Sequence, residues 1–221
     1  TTAQVLEIMR SIADFLKKER FVKWVYKCIP HIYHRYPSES DLYALFRLEA
    51  RLIGRNISST VQLDNSLRLR ADRRSRMKKA EQAGLRVVET TEFSPFWKVL
   101  DANLQERFHV KPVHSLDEIV LLHSRFPDRI RHFVTMRGDV IYDTGIVAHA
   151  QYTSASAEGK ASGALDLLYA RLIGEVFADR KWFDFGQSTE DMGHYLNEGL
   201  IAQKEGFGGR GVAYDIYEIT L

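Results

Sequence analysis

The last forty residues constrain the fold most tightly. Trp182-Phe183-Asp184-Phe185-Gly186 is an apolar run of strand length, and Gln187-Ser188-Thr189-Glu190 follows as a polar turn. The stretch 191–204 has helical spacing. Gly206-Phe207-Gly208-Gly209-Arg210-Gly211 is a cationic glycine loop, and Val212 to Ile219 closes the chain as a strand. A strand, a helix and a returning strand in so short a span must pack a helix against a sheet. The polar residues gather where a strand gives way to a helix, the position at which α/β folds hold ligands.

The same stretch imitates two motifs that its context rejects. Asp184-Phe185-Gly186 has the letters of a kinase magnesium loop, but the glycine loop, strand lysine and His-Arg-Asp loop that must precede it do not occur in order. Gly206 to Gly211 fits G-x-G-x-x-G. A dinucleotide fingerprint follows a strand and opens a helix, whereas these glycines follow a helix and precede a strand. They predict a helix C-terminus with left-handed glycines. Arg137-Gly138-Asp139 predicts a hairpin turn between strands at 129–136 and 140–152.

Upstream, residues 3–18 predict a helix. Leu6, Met9, Ala13 and Leu16 lie on one side, with Val5, Ile8, Ile12 and Phe15 beside them, a wide apolar face. Val22 to Tyr33 reads as a buried strand. Ser38 and Asp41 suggest a helix start, and Leu42, Leu45, Phe46, Leu52 and Ile53 continue it to a stop at Gly54. Residues 56–63 alternate as a half-exposed strand. Residues 66–83 predict a strongly basic helix without an apolar stripe, ending at Gly84. It is either a solvated connector or an element facing phosphates or nucleic acid. Leu85 to Glu89 is a short strand. Ser94-Pro95 opens a helix whose stripe is Phe96, Trp97, Leu100, Leu104 and Phe108, and Ser115 with Glu118 caps another. A small-residue stretch at 153–163 leads into a helix bearing Leu165, Leu168, Tyr169, Leu172, Val176 and Phe177.

The order from residue 85 is thus β-α-α-β-β-α-β-α-β, a mixed α/β class. Residues 1–65 run α-β-α-β, as do 164–219, an internal echo of a duplicated unit. With 221 residues and 45% apolar content the chain has material for a substantial core. A net charge of +2 favours no class of partner, and no apolar run approaches the eighteen residues of a membrane span. One cysteine, Cys28, excludes an intrachain disulfide, and the histidines show no metal spacing. A cytoplasmic setting is the expectation.

Specific residues add a family resemblance. Arg73-Arg74-Ser75-Arg76-Met77-Lys78-Lys79-Ala80-Glu81-Gln82-Ala83-Gly84 resembles the Arg-x-x-Ile-Arg-Lys-Ala-x-x-x-Gly helix of Fem-type proteins. Phe183-Asp184-Phe185-Gly186-Gln187-Ser188 is similar to their Phe-Asp-Phe-Gly-x-Ser strand. Asn197-Glu198-Gly199-Leu200 and Lys204-Glu205-Gly206-Phe207-Gly208 resemble their closing signature. The resemblance implies a GNAT N-acyltransferase fold in two lobes: a partial first lobe at 1–65, the basic connecting helix at 66–84, and a complete second lobe at 85–221. It implies acyl or aminoacyl transfer to an amine, as in peptidoglycan-bridge aminoacyltransferases. The donor is acyl-CoA or aminoacyl-tRNA, and no cofactor is tightly held. The acceptor is a small-molecule or peptidoglycan-precursor amine, with tRNA as a further partner. The other readings are a tRNA- or nucleic-acid-binding module and a non-catalytic GNAT-fold interaction domain.

Acyl transfer needs a deprotonated amine, donors for an oxyanion and cations or helix ends for carrier phosphates. The donor is expected between parallel strands at 146–152 and 182–186. By resemblance Lys204 faces the acyl carbonyl; otherwise it is a surface lysine complementing a helix C-terminus. Asp184 is a candidate site carboxylate, and Tyr152, His149 and Glu190 are candidate bases. Arg73, Arg76 and Lys79 are candidates for substrate phosphates. Gln187 and Ser188 end a strand, and Ser188 is equally suited to cap the next helix. Asn197, Phe207 and Gly208 complete the substrate-binding set by resemblance. GNAT enzymes that use acetyl-CoA carry Gln/Arg-x-x-Gly-x-Gly/Ala before the crossover helix; Glu158-Gly159-Lys160-Ala161-Ser162-Gly163-Ala164 departs from it.

Overall fold

A computed structural model of the chain describes residues 1–135 and 137–221, with backbone alone at 107–108, 137–139, 158 and 160. In chain order the elements are α1 (Thr2–Lys18), β1 (Lys23–Lys27), α2 (Ser40–Arg47), β2 (Arg51–Gln62), α3 (Ala71–Gln82), β3 (Val88–Glu89), α4 (Ser94–Phe108), α5 (Leu116–Arg125), β4 (Ile130–Val134), β5 (Arg137–Asp143) and β6 (Val147–Ala155). They continue with α6 (Ala157–Ala161), α7 (Ala164–Arg171), β7 (Trp182–Gln187), β8 (Thr189–Glu190), β9 (Tyr195–Leu196), α8 (Glu198–Glu205) and β10 (Arg210–Thr220). The fold is mixed α/β, as the sequence predicts.

Two compact units share the chain. One comprises Thr1–Ser58, Gln187–Ile201 and Gly211–Leu221; the other comprises Ser59–Gly186 and Ala202–Arg210. In the first, β1 pairs antiparallel with β10 from Lys23↔Thr220 to Lys27↔Ile216. Met9 of α1, Ala44 and Leu45 of α2, and Ile219 of β10 form its core. Ile8, Ile12 and Phe15 stay exposed, so only part of the wide apolar face expected on α1 is covered.

In the second unit β3, β4, β5 and β6 form an antiparallel meander, and β6 pairs parallel with β7. One face carries the α7 side of the core, with Leu165, Leu168, Tyr169, Phe183, Phe185 and Phe207. The other packs α4 and α5 through Phe93, Phe96, Trp97, Leu100 and Ile119. Leu104 joins that layer; the side chain of Phe108, expected in the same stripe, lies outside the described residues. The capping box at Ser115 and Glu118 is present as expected.

Gln151 is an extra residue in β6. Val140 faces Tyr152 and Ile141 faces Ala150, so Gln151 has no partner on β5. Ala148 and Ala150 pack on the α7 side. After the bulge Tyr152 meets Trp97 of α4, and Thr153 bonds the Tyr169 hydroxyl of α7. A bulge reverses the alternation, which places His149 and Tyr152 on one face.

Several element boundaries depart from the sequence reading. The strand expected over 140–152 is two strands. Asp143 accepts the Gly145 N–H, and the Thr144 hydroxyl accepts from Val147, folding a tight turn at Gly145 (φ 85°). Arg137-Gly138-Asp139 therefore opens β5 rather than forming the hairpin turn; Met136, in the preceding connection, lies outside the described residues. The helix expected over 191–204 begins only at Glu198, because Asp191, Met192 and Gly193 all have positive φ. A Cβ on Gly193 would meet the Arg55 carbonyl oxygen at 1.9 Å, so the chain must turn there on glycine. The α2 helix stops at Arg47, and Leu52 to Gly54 belong to β2. Its N-cap is Glu39 without a side-chain bond, Ser38 bonding Ser40 instead. Likewise β1 ends at Lys27, β3 is only two residues, α3 starts at Ala71, and Phe93 rather than Ser94 precedes α4.

Candidate functional site

The parallel pair β6 and β7 creates the site. Val147, Ala148 and His149 pair with Trp182, Phe183 and Asp184, and the ladder then stops although both strands continue.

Asp184 sits at this fork. Phe183 and Phe185 fill the α7 core, so alternation turns Asp184 to the opposite face. Its side chain is fully buried. One oxygen accepts the Thr60 hydroxyl at 3.3 Å and the Gly186 N–H at 3.0 Å; the other lies 3.0 Å from Nδ1 of His149. A buried carboxylate needs such saturation, since burial without bonds costs several kcal/mol. A carboxylate only accepts, so Nδ1 of His149 carries the hydrogen of this bond. The His149 side chain remains 22% exposed.

Gly186 has φ 76° and brings no side chain beneath the imidazole; a Cβ there would lie 3.6 Å from Cε1 of His149. Its carbonyl oxygen accepts from Nζ of Lys204 at 2.8 Å. Lys204 is only 8% exposed, so it is not a surface lysine at the end of α8. The glycine loop explains that burial. Gly208 adopts φ 94° and Gly209 N–H returns to the Lys204 carbonyl at 3.3 Å. A Cβ on Gly208 would meet the Leu67 carbonyl oxygen at 2.9 Å, and one on Gly209 the Lys204 carbonyl oxygen at 3.0 Å. Of the loop glycines expected to be left-handed, Gly208 alone is, and it closes α8. Phe207 drops into the α7 core against Phe185 and Tyr169.

Asp184, His149, Gly186 and Lys204 therefore converge, while the remaining candidates lie elsewhere. Tyr152 is buried against Trp97, with its hydroxyl 2.6 Å from Nδ1 of His114. Burial raises its pKa, which weakens it as a base. Arg73 is engaged by buried Asp166 at 3.0 Å and stacks over Phe207 at 5.2 Å. It holds α3 to α7 instead of presenting a guanidinium to a phosphate. Arg171 of α7 likewise reaches Glu81 of α3 at 2.9 Å. Arg76 and Lys79 are exposed on α3. Asn197 caps α8, its side-chain oxygen accepting from Leu200 at 3.0 Å. Gln187 and Glu190 are exposed; Ser188 is buried with its hydroxyl unpartnered among the described residues and caps no helix. Alongside α4, on the face that carries His149, a cavity of about 410 Å³ is lined by Pro95, Phe96, Val99, Ser154, Ala155 and Ser156. Among the described residues no cluster of metal-binding side chains occurs and no helix is long and apolar enough to cross a membrane.

The expected parallel pair is present, and the sequence singled out Lys204, Asp184 and Tyr152, of which Tyr152 lies against α4. It did not single out His149 from the other candidate bases. The signal was indirect: His149 stands directly opposite Asp184 once the strands are placed in register.

No family model matches the chain, and no curated protein matches it. Solved structures do share its fold. The crystal structure of FemX superposes over 100% of the chain and 77% of its own length, with a TM-score of 0.74 at 10% identity. The C-terminal domain of a putative lysylphosphatidylglycerol synthetase from Agrobacterium fabrum covers 95% of the chain and 72% of its own, at a TM-score of 0.67 and 12% identity. The structure of L-PGS from Bacillus licheniformis gives 0.66 at 13% identity, over 95% of the chain and 71% of its own. The chain shares the fold of FemX, as expected from its Fem-type motifs.

Proposed function

We propose that the chain transfers an acyl or aminoacyl group from an activated carrier to an amine. The observation that carries this reading is the parting of β6 and β7 at a buried, saturated Asp184, with the Lys204 ammonium bound to the carbonyl of Gly186 beside it. The names of two fold neighbours, FemX and a lysylphosphatidylglycerol synthetase, agree with aminoacyl chemistry on this scaffold.

In this reading the donor lies along the gap and its carbonyl meets the Lys204 end of the site. Attack by the amine puts negative charge on the carbonyl oxygen. An ammonium held in a largely water-free site stabilises that charge far better than water does. The cavity beside α4 accommodates a small-molecule or peptidoglycan-precursor amine. Arg76 and Lys79 on α3 are the exposed cations for carrier phosphates, Arg73 being engaged by Asp166. Acyl-CoA and aminoacyl-tRNA are the donor classes, and both place the reaction in the cytoplasm.

The test is a transfer assay with acetyl-CoA and, separately, alanyl-tRNA as donors and a lysine-containing peptide as acceptor. Wild-type protein is expected to transfer from one of them, and Lys204→Ala to lose about 100-fold in kcat while keeping the wild-type urea midpoint. Full activity in Lys204→Ala removes the role of that residue. No transfer by the wild type from either donor refutes the reading.

A further inference from the structure

We propose that His149 is the general base of the reaction and that Asp184 is its positioning residue, an inference that rests on the acyl-transfer reading above. The two residues form the last rung of the β6–β7 ladder. The base therefore stands where the strands open, fixed by the register of the sheet rather than by a mobile loop.

The geometry meets the requirements of a base in turn. Its orientation is set, because Nδ1 lies 3.0 Å from a carboxylate oxygen of Asp184. That carboxylate is itself fixed by Thr60 on β2 and the Gly186 backbone. With Nδ1 carrying the hydrogen, Nε2 is the acceptor of the ring. The imidazole is 22% exposed, enough for an amine to reach it, while Asp184 is sealed. Asp184 on β7 bonds Nδ1 of His149 and Tyr142 stands opposite the histidine on β5, while Lys204 of α8 is anchored on the Gly186 carbonyl. Tyr142 stays neutral, its pKa pushed up to about 12 by burial. Asp184 holds the ring in place, and Lys204 stabilises the oxyanion.

The step balances. A neutral amine nitrogen forms a bond to the acyl carbon, and the carbonyl electron pair moves to oxygen. Nε2 of His149 takes the proton that the nitrogen now carries in excess. The carbonyl reforms, the ester or thioester bond to the carrier breaks, and the carrier's oxygen or sulfur leaves with that proton from the imidazolium. The products are amide and free carrier, and His149 is restored neutral. Asp184 transfers no proton.

Tyr152, the alternative base on the same strand, faces α4 beyond the Gln151 bulge, with its hydroxyl against His114.

The test is the pH profile of kcat/KM for wild type, His149→Gln, Asp184→Asn and Tyr152→Phe, each with acetyl-CoA and with alanyl-tRNA as donor and the lysine-containing peptide as acceptor. Wild type is expected to show an acidic limb. His149→Gln is expected to lose about 100- to 1,000-fold and the limb with it, with added imidazole restoring part of the rate. Asp184→Asn is expected to lose part of the rate without rescue by added imidazole, because the ring is still present but no longer held by the carboxylate. Tyr152→Phe keeps the profile. A wild-type-like limb in His149→Gln, or a limb lost in Tyr152→Phe, overturns the assignment while leaving acyl transfer intact. A wild type that transfers from neither donor overturns the functional reading and this inference together.

Discussion

His132 offers a test of the packing between β4 and α4 that is independent of any activity. Its side chain is fully buried, stacked on Phe93 at 4.7 Å and close to Phe96 at 5.1 Å. Neither ring nitrogen has a partner of good geometry among the described residues. Burial lowers its pKa from 6.5 to about 4, His123 pushes the same way, and the Glu92 backbone pulls weakly against both. In the unfolded chain the same histidine titrates near its ordinary value. Between pH 6.5 and about 4 the unfolded state therefore binds the proton and the folded state does not. The stability contributed by neutral His132 is complete above that window and is lost as pH falls through it.

The full interval corresponds to about 3 kcal/mol, and about 2.5 kcal/mol of it is lost between pH 7.5 and 4.5. The perturbation is His132→Leu, which fits the apolar slot and removes two unpartnered nitrogens. The assay is urea unfolding of both proteins at a series of pH values. The variant is expected to be at least as stable as wild type at pH 7.5, because unpaired buried polar atoms cost about 1–3 kcal/mol. On acidification wild type is expected to lose about 2.5 kcal/mol more than the variant. Parallel stability curves across the window refute the argument, since every other titrating group is common to both proteins.

Two further outcomes follow from the α3 and α8 contacts. Arg73→Ala leaves Asp166 buried without its partner and is expected to cost about 3–5 kcal/mol in urea unfolding, whereas Arg76→Ala on the exposed side should stay within about 0.5 kcal/mol of wild type; equal losses would contradict the different placement of the two arginines. Gly208→Ala must adopt φ 94° with a Cβ 2.9 Å from the Leu67 carbonyl oxygen, so its melting temperature should fall by several degrees. Gly84→Ala, at φ 79° in open space, should fall less.

What the sequence made legible follows the range of the interactions. The boundaries of α1, α5, β7 and β10 came from local spacing and caps, and local physics decides them. The glycine loop was readable as a helix terminus because left-handed glycines are a local requirement. The buried state of Lys204 was not, because Phe207 and Gly208 draw it inward through contacts with distant elements. Residues 191–193 have helical composition, yet Gly193 turns against Arg55, far back in the chain. Arg73 looked like a phosphate ligand because its partner, Asp166, is 93 positions away. The pairing of His149 with Asp184 spans 35 positions and depends on strand register, which a bulge or one missed turn shifts. The interleaving of 187–201 and 211–221 with the first fifty-eight residues likewise has no local signature.

The bulge at Gln151 has a wider consequence. It works as a phase shifter: the strand presents one set of side chains to α7 before it and the complementary set after it. Residues 147–149 are locked to β7, while Tyr152 and Ser154 answer to α4. One residue of slack uncouples them, so the lining of the cavity beside α4 can be rewritten without moving the fork at Asp184. A scaffold built this way can change what it accepts while holding its reactive centre fixed.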